Sequence, residues 1–454
     1  MNTTNQSHSK LSKSARHLLA AAMAMVVTTS EASLLALADA PLYLISAVEP
    51  NILLTFDDSG SMAWGYMPDG MNNANDERRG CSSAANAVYY NPSVTYEPPV
   101  KEDGTALNAV ATSFTAAYRN GFNTAGGVVN LATSYQVSWG SPADSVSCGF
   151  TGATTTSGTS GTYTTGRAAF YFVFDTTLAG SGGCLAVPVV TDNDCFRLVQ
   201  HNNAAAGGAW SAAAQQNFAN WYSYYRSRNK LAKSSVGRAF SRFAGNVRVA
   251  AQHLHSTGVS TGVTAGPIFP NSFSAASNPV SAFSGANRTT FFTRLYNSPN
   301  SGDTPLREAM KRTGDYLSLG DPYLVTPGAA AGGTNVERSC RQNFHVMMTD
   351  GYWNGPNSPI VTGNVDNTAI ASMPNPDPSI AGVAPINQFS GVSFAAGQRP
   401  YFDAHTSTLA DTAFYYWSRD LRGGLINNVT PRLVSNITAP ALTQYWDSYN
   451  DPAT

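Results

Sequence analysis

The chain has 454 residues, a formal net charge of -1 and only 12% charged residues. Nucleic-acid-binding proteins normally carry a basic stripe, and the sequence has none, which argues against a nucleic-acid partner. The length is enough for a buried core and for about two or three domains, or for one domain with large insertions.

The N-terminus has the pattern of an export signal. Three basic residues between positions 10 and 16 precede an apolar run over 18–27, and a second short apolar stretch ends in Ala38-Asp39-Ala40, a small-x-small cleavage pattern. A membrane anchor is the alternative, but a spanning helix needs about 20 apolar residues. We therefore predict a signal peptide over 1–40, with the cleavage point left open, and an exported mature chain over 41–454 without a transmembrane span.

The five cysteines fit an oxidising compartment, because none of them forms the C-x-x-C pair of zinc ribbons and thioredoxin-like sites. Cys184 and Cys195 are close enough in sequence to close a short disulfide loop. Cys81 and Cys148 are a plausible second pair, which leaves Cys340 free. The sequence alone does not fix this connectivity.

The first regular element is the apolar run over 52–56, which predicts a strand buried on both faces. It ends abruptly in the polar segment 57–62. Oxygen-bearing side chains therefore gather at the carboxyl end of a buried strand, which is where ligands bind in open α/β sheets.

Residues 63–213 are interpreted as a large insertion, and we assign no fold to it because no clear periodicity runs through it. After it, apolar residues recur at helical spacing from Phe218 to Phe243. This pattern predicts one long amphipathic helix, with Arg226, Lys230 and Lys233 on its solvated face.

The rest of the chain alternates between strand and helix patterns. Such alternation predicts an α/β fold with an open, mostly parallel sheet and helices on both faces. The predicted elements are a strand over 247–250, a helix over 288–296, a helix over 306–317 that follows Pro305, an apolar strand within 343–351 that ends in a carboxylate and a turn, a second insertion over 352–400 and a helix over 407–421.

Three separate segments each place oxygen ligands at the end of a strand or the start of a helix. They contribute Asp57, Ser59 and Ser61, then Thr304, then Asp350. Two carboxylates and three hydroxyls are a hard, all-oxygen set that suits Mg²⁺, Mn²⁺ or Ca²⁺ rather than zinc or copper. Positions 57, 59 and 61 can converge on one point if the loop curls around the ion, and the intervening glycine permits that curl.

The residues near these positions have simpler interpretations. Asp58 is interpreted as a solvated neighbour of the site, and Thr304 as a helix cap is compatible with a role in the site. His253 and His255 are a metal pair only if a third ligand exists, and none is evident in the sequence. His345 lies within an apolar strand and is interpreted as a core histidine.

The sequence favours binding over catalysis. Ser59 and Ser61 are not part of a G-x-S-x-G motif, and no histidine accompanies them in the sequence. A metal hydrolase would need histidines or further carboxylates near the strand ends. We therefore expect no enzymatic activity and no cofactor other than a divalent cation.

The pattern resembles the metal-ion-dependent adhesion site of von Willebrand factor A domains. In that family a D-x-S-x-S loop follows the first strand, a threonine comes from a second loop and an aspartate follows the fourth strand. Asp57, Ser59, Ser61, Thr304 and Asp350 match these positions in the expected order. The resemblance implies a bound divalent cation, Mg²⁺ first, with one coordination position left for an acidic group of a partner.

The chain also resembles PilY-type proteins, the type IV pilus biogenesis factors and tip adhesins. The resemblance rests on four segments: P-N-I-L-L-T-F-D-D-S-G-S-M, V-Y-Y-N-P-S-V-T-Y-E-P-P, C-R-Q-N-F-H-V-M-M-T-D-G and T-L-A-D-T-A-F-Y-Y-W-S-R-D-L. It implies a pilus-associated adhesin or assembly factor at the surface, pilus tip or outer membrane of a Gram-negative bacterium. Its partners would be pilus subunits or minor pilins, and a host or surface protein.

The same resemblance leaves one alternative function and one departure. The alternative is a structural factor that primes pilus assembly without a metal. PilY-type proteins continue into a C-terminal β-propeller, and this sequence contains no blade-like repeat. The A-type fold also expects a buried strand after the helix over 407–421, and the sequence shows no convincing one. We therefore expect residues 41–454 to be an incomplete A-type domain and carry over no propeller function.

Overall fold

A computed structural model of the chain describes residues 48–73, 78–135, 137, 155–158, 161–164, 167–178, 184, 192–243, 245–255, 267–339, 341–354, 363–365, 403–417, 421–422 and 425. The signal peptide predicted over 1–40, Cys148, Cys340, most of the second insertion and the end of the chain lie outside this range. None of the helices in the described part has the length and apolar character needed to cross a membrane.

The described residues fold into strands and α-helices that alternate over the second half of the chain. The strands are β1 Asn51–Phe56, β2 Ala117–Tyr118, β3 Val128–Val129, β4 Thr155–Gly158, β5 Gly161–Thr164, β6 Phe170–Phe174, β7 Phe196–Gln200, β8 Arg248–His253, β9 Ser281–Ala282 and β10 Asn343–Met348. The α-helices are α1 Ala212–Tyr224, α2 Arg228–Ser241, α3 Gly285–Tyr296, α4 Leu306–Leu317 and α5 Leu409–Trp417.

The central sheet has the strand order β10-β1-β8-β9. β1 runs parallel to both of its neighbours, so that Leu53 lies beside Ala250 of β8 and beside His345 of β10. The short β9 runs antiparallel to β8. The chain therefore has the α/β fold with a mainly parallel, mixed sheet, whereas its assignment to the von Willebrand factor A type stays a prediction.

Helices cover the sheet on both sides. On one face, Leu53 and Ala250 pack against Tyr316 and Leu317 at the end of α4. On the other face, Phe56 contacts Phe269, which in turn contacts a ring of α3. Side chains alternate between the two faces along each strand, so an apolar run buried throughout, as in β1, needs cover on both faces.

The long helix predicted over 218–243 is two helices, because α1 ends at Tyr224 and α2 begins at Arg228. Ser227 lies between them and its side chain accepts a hydrogen bond from the Lys230 amide, which is an N-cap. The interpretation of Lys233 as solvated is wrong: it is only 7% exposed. The apolar spacing continues across the break, and so the pattern alone does not reveal it.

The region interpreted as an insertion has an aromatic core that extends into α1. It includes Tyr90, Phe170, Phe218 and Trp221, which are almost fully buried. The three strand pairs β2–β3, β4–β5 and β6–β7 each form a separate two-stranded sheet. Aromatic packing therefore supplies most of the contacts that order this part of the chain.

The disulfide predicted between Cys184 and Cys195 is present, with their Cα atoms 5.4 Å apart. Cys81 is also disulfide-bonded. Its predicted partner, Cys148, lies outside the described residues, and that pairing stays a prediction.

Candidate functional site

The carboxylate of Asp57 is fixed where β1 ends. Its side chain is fully buried. Oδ1 accepts a hydrogen bond from the Ser59 amide at 2.8 Å, and Oδ2 accepts one from the Thr349 hydroxyl at 2.8 Å. Burial raises the pKa of Asp57, and the hydrogen bonds from Ser59 and Thr349 oppose that shift. Both carboxylate oxygens are therefore oriented by the protein rather than by water.

Ser59, Ser61 and Asp350 form a continuous line of oxygen atoms. The hydroxyl oxygens of Ser59 and Ser61 are 3.1 Å apart, and the Ser61 hydroxyl donates to Oδ1 of Asp350 at 3.1 Å. The Asp350 amide lies 3.4 Å from Oδ2 of Asp57. The parallel pairing of β1 with β10 brings these residues together, because both strands end at the same edge of the sheet.

Thr304 lies in a segment that packs against this group, and its own backbone forms hydrogen bonds with Asn354. The amide of Gly60 donates to the carbonyl of Gly302 at 3.0 Å, so the segment that holds Thr304 lies against the 57–61 loop. Thr304 is 4% exposed, and its amide donates to the side chain of Asn354 at 2.6 Å. The side chain of Thr304 does not cap α4, whose N-cap position is Pro305 without a side-chain hydrogen bond.

The curl of the loop does not depend on glycine at position 60. Residues 60–63 form a turn of 3-10 helix, and Gly60 is not among the described glycines with positive φ. A Cβ at this position would meet the Gly302 carbonyl oxygen at 3.7 Å, an ordinary contact. The prediction that glycine permits the curl is therefore unnecessary, since the loop keeps a backbone that other residues also adopt.

Asp58 is not the solvated neighbour that the sequence suggested. It is 2% exposed, and its Oδ1 accepts a hydrogen bond from the His255 amide at 3.0 Å. Burial raises its pKa to about 7, with the charge of Asp57 adding to the rise. Asp58 follows β1 and His255 follows the neighbouring strand β8. Their buried hydrogen bond therefore links the ends of the two strands.

The two histidines at the end of β8 lie beside Asp58, which His255 contacts through its backbone amide. Nε2 of His253 lies 3.0 Å from the Ser298 hydroxyl, and its Nδ1 lies 3.7 Å from Asp58. Burial lowers the pKa of His253 to about 3, so the ring is neutral at ordinary pH. His345 is partly buried on the edge strand β10. It contacts the Thr55 hydroxyl at 2.8 Å, and burial lowers its pKa to about 4.

Arg228 is the functional neighbour that the sequence did not reveal. Its Nη1 donates to Oδ2 of Asp350 at 2.8 Å, with the two side chains 2% and 4% exposed. Its Nη2 donates to Asp69 at 2.6 Å. Arg228 is the first residue of α2, where a positive charge opposes the helix dipole and needs nearby carboxylates. Because the start of α2 is hidden within the apolar repeat, no sequence signal identifies Arg228.

The residues that the structure brings together are chemically suited to a hard cation. At one edge of the sheet, a chain of hydrogen bonds links Asp57, Ser59, Ser61 and Asp350. Their hydroxyl and carboxylate oxygens are ligands that Mg²⁺ accepts. No group of three or more His, Cys, Asp or Glu residues suited to a metal occurs in the described part of the chain. A site at this edge would therefore depend on the two serines as well as the aspartates.

Comparison with known proteins identifies relatives in one bacterial species. The chain is 35% identical over 444 residues to the type IV pilus biogenesis factor PilY1 of Pseudomonas aeruginosa strain PAK, covering 96% of this chain and 33% of the relative. It is 33% identical over 456 residues to PilY1 of strain UCBPP-PA14, covering 98% of this chain and 34% of the relative. The chain thus spans about a third of the length of the curated relatives it matches.

No family model and no solved structure matches the chain. The resemblance to PilY-type proteins is confirmed by the relatives, because the similarity extends over almost the whole chain. The five-residue metal site and the von Willebrand factor A assignment stay predictions.

Proposed function

We propose that this chain, a relative of the PilY-type type IV pilus biogenesis factors, acts in pilus assembly and surface adhesion through a divalent cation held at the end of the central sheet. Asp57, Ser59, Ser61, Thr304 and Asp350 would hold the cation, some of them through water. The observation that carries the proposal is the line of oxygen atoms from Ser59 through Ser61 to Asp350.

The balance of charge supports binding of an acidic partner. Hydroxyls are neutral ligands, so two aspartates are the main negative charges that the site offers to a divalent ion. When bound, the cation would supply an electrophilic position that a carboxylate of a pilus subunit or surface protein can fill. Mg²⁺ is the first choice, with Mn²⁺ or Ca²⁺ as alternatives of the same hard class.

The arrangement of the residues supports binding rather than hydrolysis. The side chain of Asp57 accepts from Ser59 and Thr349, and that of Asp350 accepts from Ser61 and Arg228. Both carboxylates are therefore engaged by donors and are poorly placed to take a proton from water. We accordingly propose a binding protein, exported and exposed at the cell surface or pilus.

The proposal is tested with cells that produce the Asp57→Ala variant, compared with Asp103→Ala as the matched control. Asp103 is an exposed aspartate that accepts hydrogen bonds from its neighbour Thr105. We expect Asp57→Ala to lower both the number of surface pili and the attachment of cells, at an equal level of exported protein. EDTA should have the same effect on wild-type cells, and Mg²⁺ should reverse it.

The alternative is a structural factor that primes assembly without metal. It predicts wild-type pilus counts and attachment in Asp57→Ala cells and in EDTA. That result, with Asp103→Ala also at wild-type level, would remove the cation from the account and leave the structural role.

A further inference from the structure

The guanidinium of Arg228 is locked in place on three sides. Its Nε donates to the Tyr66 carbonyl at 2.7 Å, and its Nη2 donates to Asp69 at 2.6 Å. Its central carbon Cζ lies over the Trp64 ring, 4.8 Å from the ring centre. With the side chain only 2% exposed, the positive charge cannot turn away into solvent, and so it stays beside Asp350.

Arg228 and the predicted cation would share one carboxylate. Oδ2 of Asp350 accepts from Arg228, whereas Oδ1 of the same group accepts from Ser61, on the side of the site oxygens. A cation at these oxygens would therefore have a fixed positive charge on the far side of one carboxylate. Two positive charges this close repel each other strongly in a buried setting.

The position of Asp350 does not depend on Arg228 alone. Its side chain is also held by Ser61, and its amide lies within 3.4 Å of Asp57. β10 places the residue through its pairing with β1. The effect of Arg228 on the site is therefore mainly its charge, because other contacts already set the geometry.

We propose that Arg228 is a resident counter-cation of Asp350 that keeps the affinity of the site for a divalent cation low until a partner carboxylate adds negative charge. This inference rests on the proposed function, since it concerns the same site. Its consequence is that the cation binds weakly to the chain alone and more tightly beside a partner carboxylate, because Arg228 offsets part of the negative charge of Asp57, Asp69 and Asp350.

The test is titration of the purified 454-residue chain with Mn²⁺, followed by electron paramagnetic resonance of the free ion. We expect Arg228→Gln to bind Mn²⁺ at least tenfold more tightly than wild type, which corresponds to about 1.4 kcal/mol. Arg228→Lys keeps the charge without the planar fork and should stay within about threefold of wild type. Arg226→Gln is the matched control, since Arg226 contacts Tyr222 and the Arg119 carbonyl instead of the site.

The outcomes separate the inference from the proposed function. If wild type binds Mn²⁺ and Arg228→Gln binds it equally or more weakly, the counter-cation role is wrong and Arg228 only positions Asp350. If neither protein binds Mn²⁺, both proposals fail together. An Arg228→Lys variant that behaves like Arg228→Gln would also overturn the argument from charge.

A second variant serves if Arg228→Gln does not fold. Asp69→Asn leaves Arg228 in place and removes its other carboxylate, whose side chain is 32% exposed and so tolerates the change. The charge of Arg228 is then less neutralised, and we expect Mn²⁺ to bind at least threefold more weakly than to wild type. Unchanged or tighter binding would contradict the proposal.

Discussion

The buried ammonium group of Lys233 should lower the free energy of unfolding of this protein at neutral pH. The residue lies in the middle of α2 and is 7% exposed. Burial lowers its pKa from 10.5 to about 7, and its ammonium group lies 5.4 Å from the centre of the Phe122 ring. We expect Lys233→Met, which is unbranched, one atom shorter and uncharged, to stabilise the protein at neutral pH.

The size of the effect follows from the pKa. One pKa step corresponds to about 1.4 kcal/mol, so a fall from 10.5 to about 7 corresponds to roughly 4 to 5 kcal/mol of unfavourable charge burial. The contact with the ring that methionine would lose is a cation–π interaction, worth about 1 to 2 kcal/mol at a desolvated site. The expected net gain for Lys233→Met is therefore about 3 kcal/mol at pH 7.

The direction of the pH dependence is fixed by the lowered pKa. Between about pH 7 and pH 10.5 the unfolded chain holds a proton on Lys233 that the folded chain has released. The unfolded state binds more protons in this window, so the contribution of Lys233 to stability rises with pH. It is lowest at or below pH 7, and the advantage of Lys233→Met should shrink towards zero near pH 10.5.

The assay is urea denaturation of wild type and variants at several pH values between 6 and 10.5, with the gain read as the difference from wild type at each pH. Lys230→Met is the matched control, because Lys230 is half-buried on the same helix and donates to the Arg119 carbonyl. It should bring no comparable gain. A Lys233→Met variant that is no more stable than wild type at pH 7, or whose gain is the same at every pH, would refute the reasoning.

Two further predictions concern packing and cross-linking. A Cβ at Gly314 of α4 would lie 2.1 Å from the ring of Tyr416 in α5, so Gly314→Ala should lower the free energy of unfolding by about 1 to 3 kcal/mol in denaturant titration. Gly70→Ala, with no atom within 4 Å, should not. Equal stabilities would mean that Tyr416 does not pack against Gly314. Replacing Cys184 and Cys195 together by serine removes a disulfide that spans a sequence separation of 11. This change should lower the free energy of unfolding by about 2 to 3 kcal/mol in the same titration. An unchanged denaturation midpoint would show that the disulfide adds little to stability.

The strands and helices beside the site are readable from the sequence because each is a compact local pattern. The apolar run predicted over 52–56 is β1 with one more residue, and the strand predicted within 343–351 is β10. The helix predicted over 306–317 coincides with α4. The fully buried β1 reads as a continuous apolar run. The edge strand β10 is only partly buried and is recognised because its apolar residues end in a carboxylate and a turn.

Contacts between distant parts of the chain are not readable in the same way. Arg228 reaches Asp350 across 122 positions of sequence, and neither residue's neighbours suggest the pair. The break between α1 and α2 is hidden because Ser227 is a weak local signal set against a strong apolar repeat. The burial of Asp58 depends on the packing of β8, which local sequence does not encode.

The central claim, that the oxygens of Asp57, Ser59, Ser61, Thr304 and Asp350 hold a divalent cation, is tested most directly by a crystal structure of the chain soaked in Mn²⁺. Measured at a wavelength where Mn²⁺ scatters anomalously, the wild-type crystals should show one strong peak about 2.0 to 2.4 Å from oxygens of the site, lengths typical of hard cations. Crystals of Asp350→Ala, soaked identically, should lack it. A wild-type map without a peak at these residues, or a peak of equal height in the variant, would contradict the account.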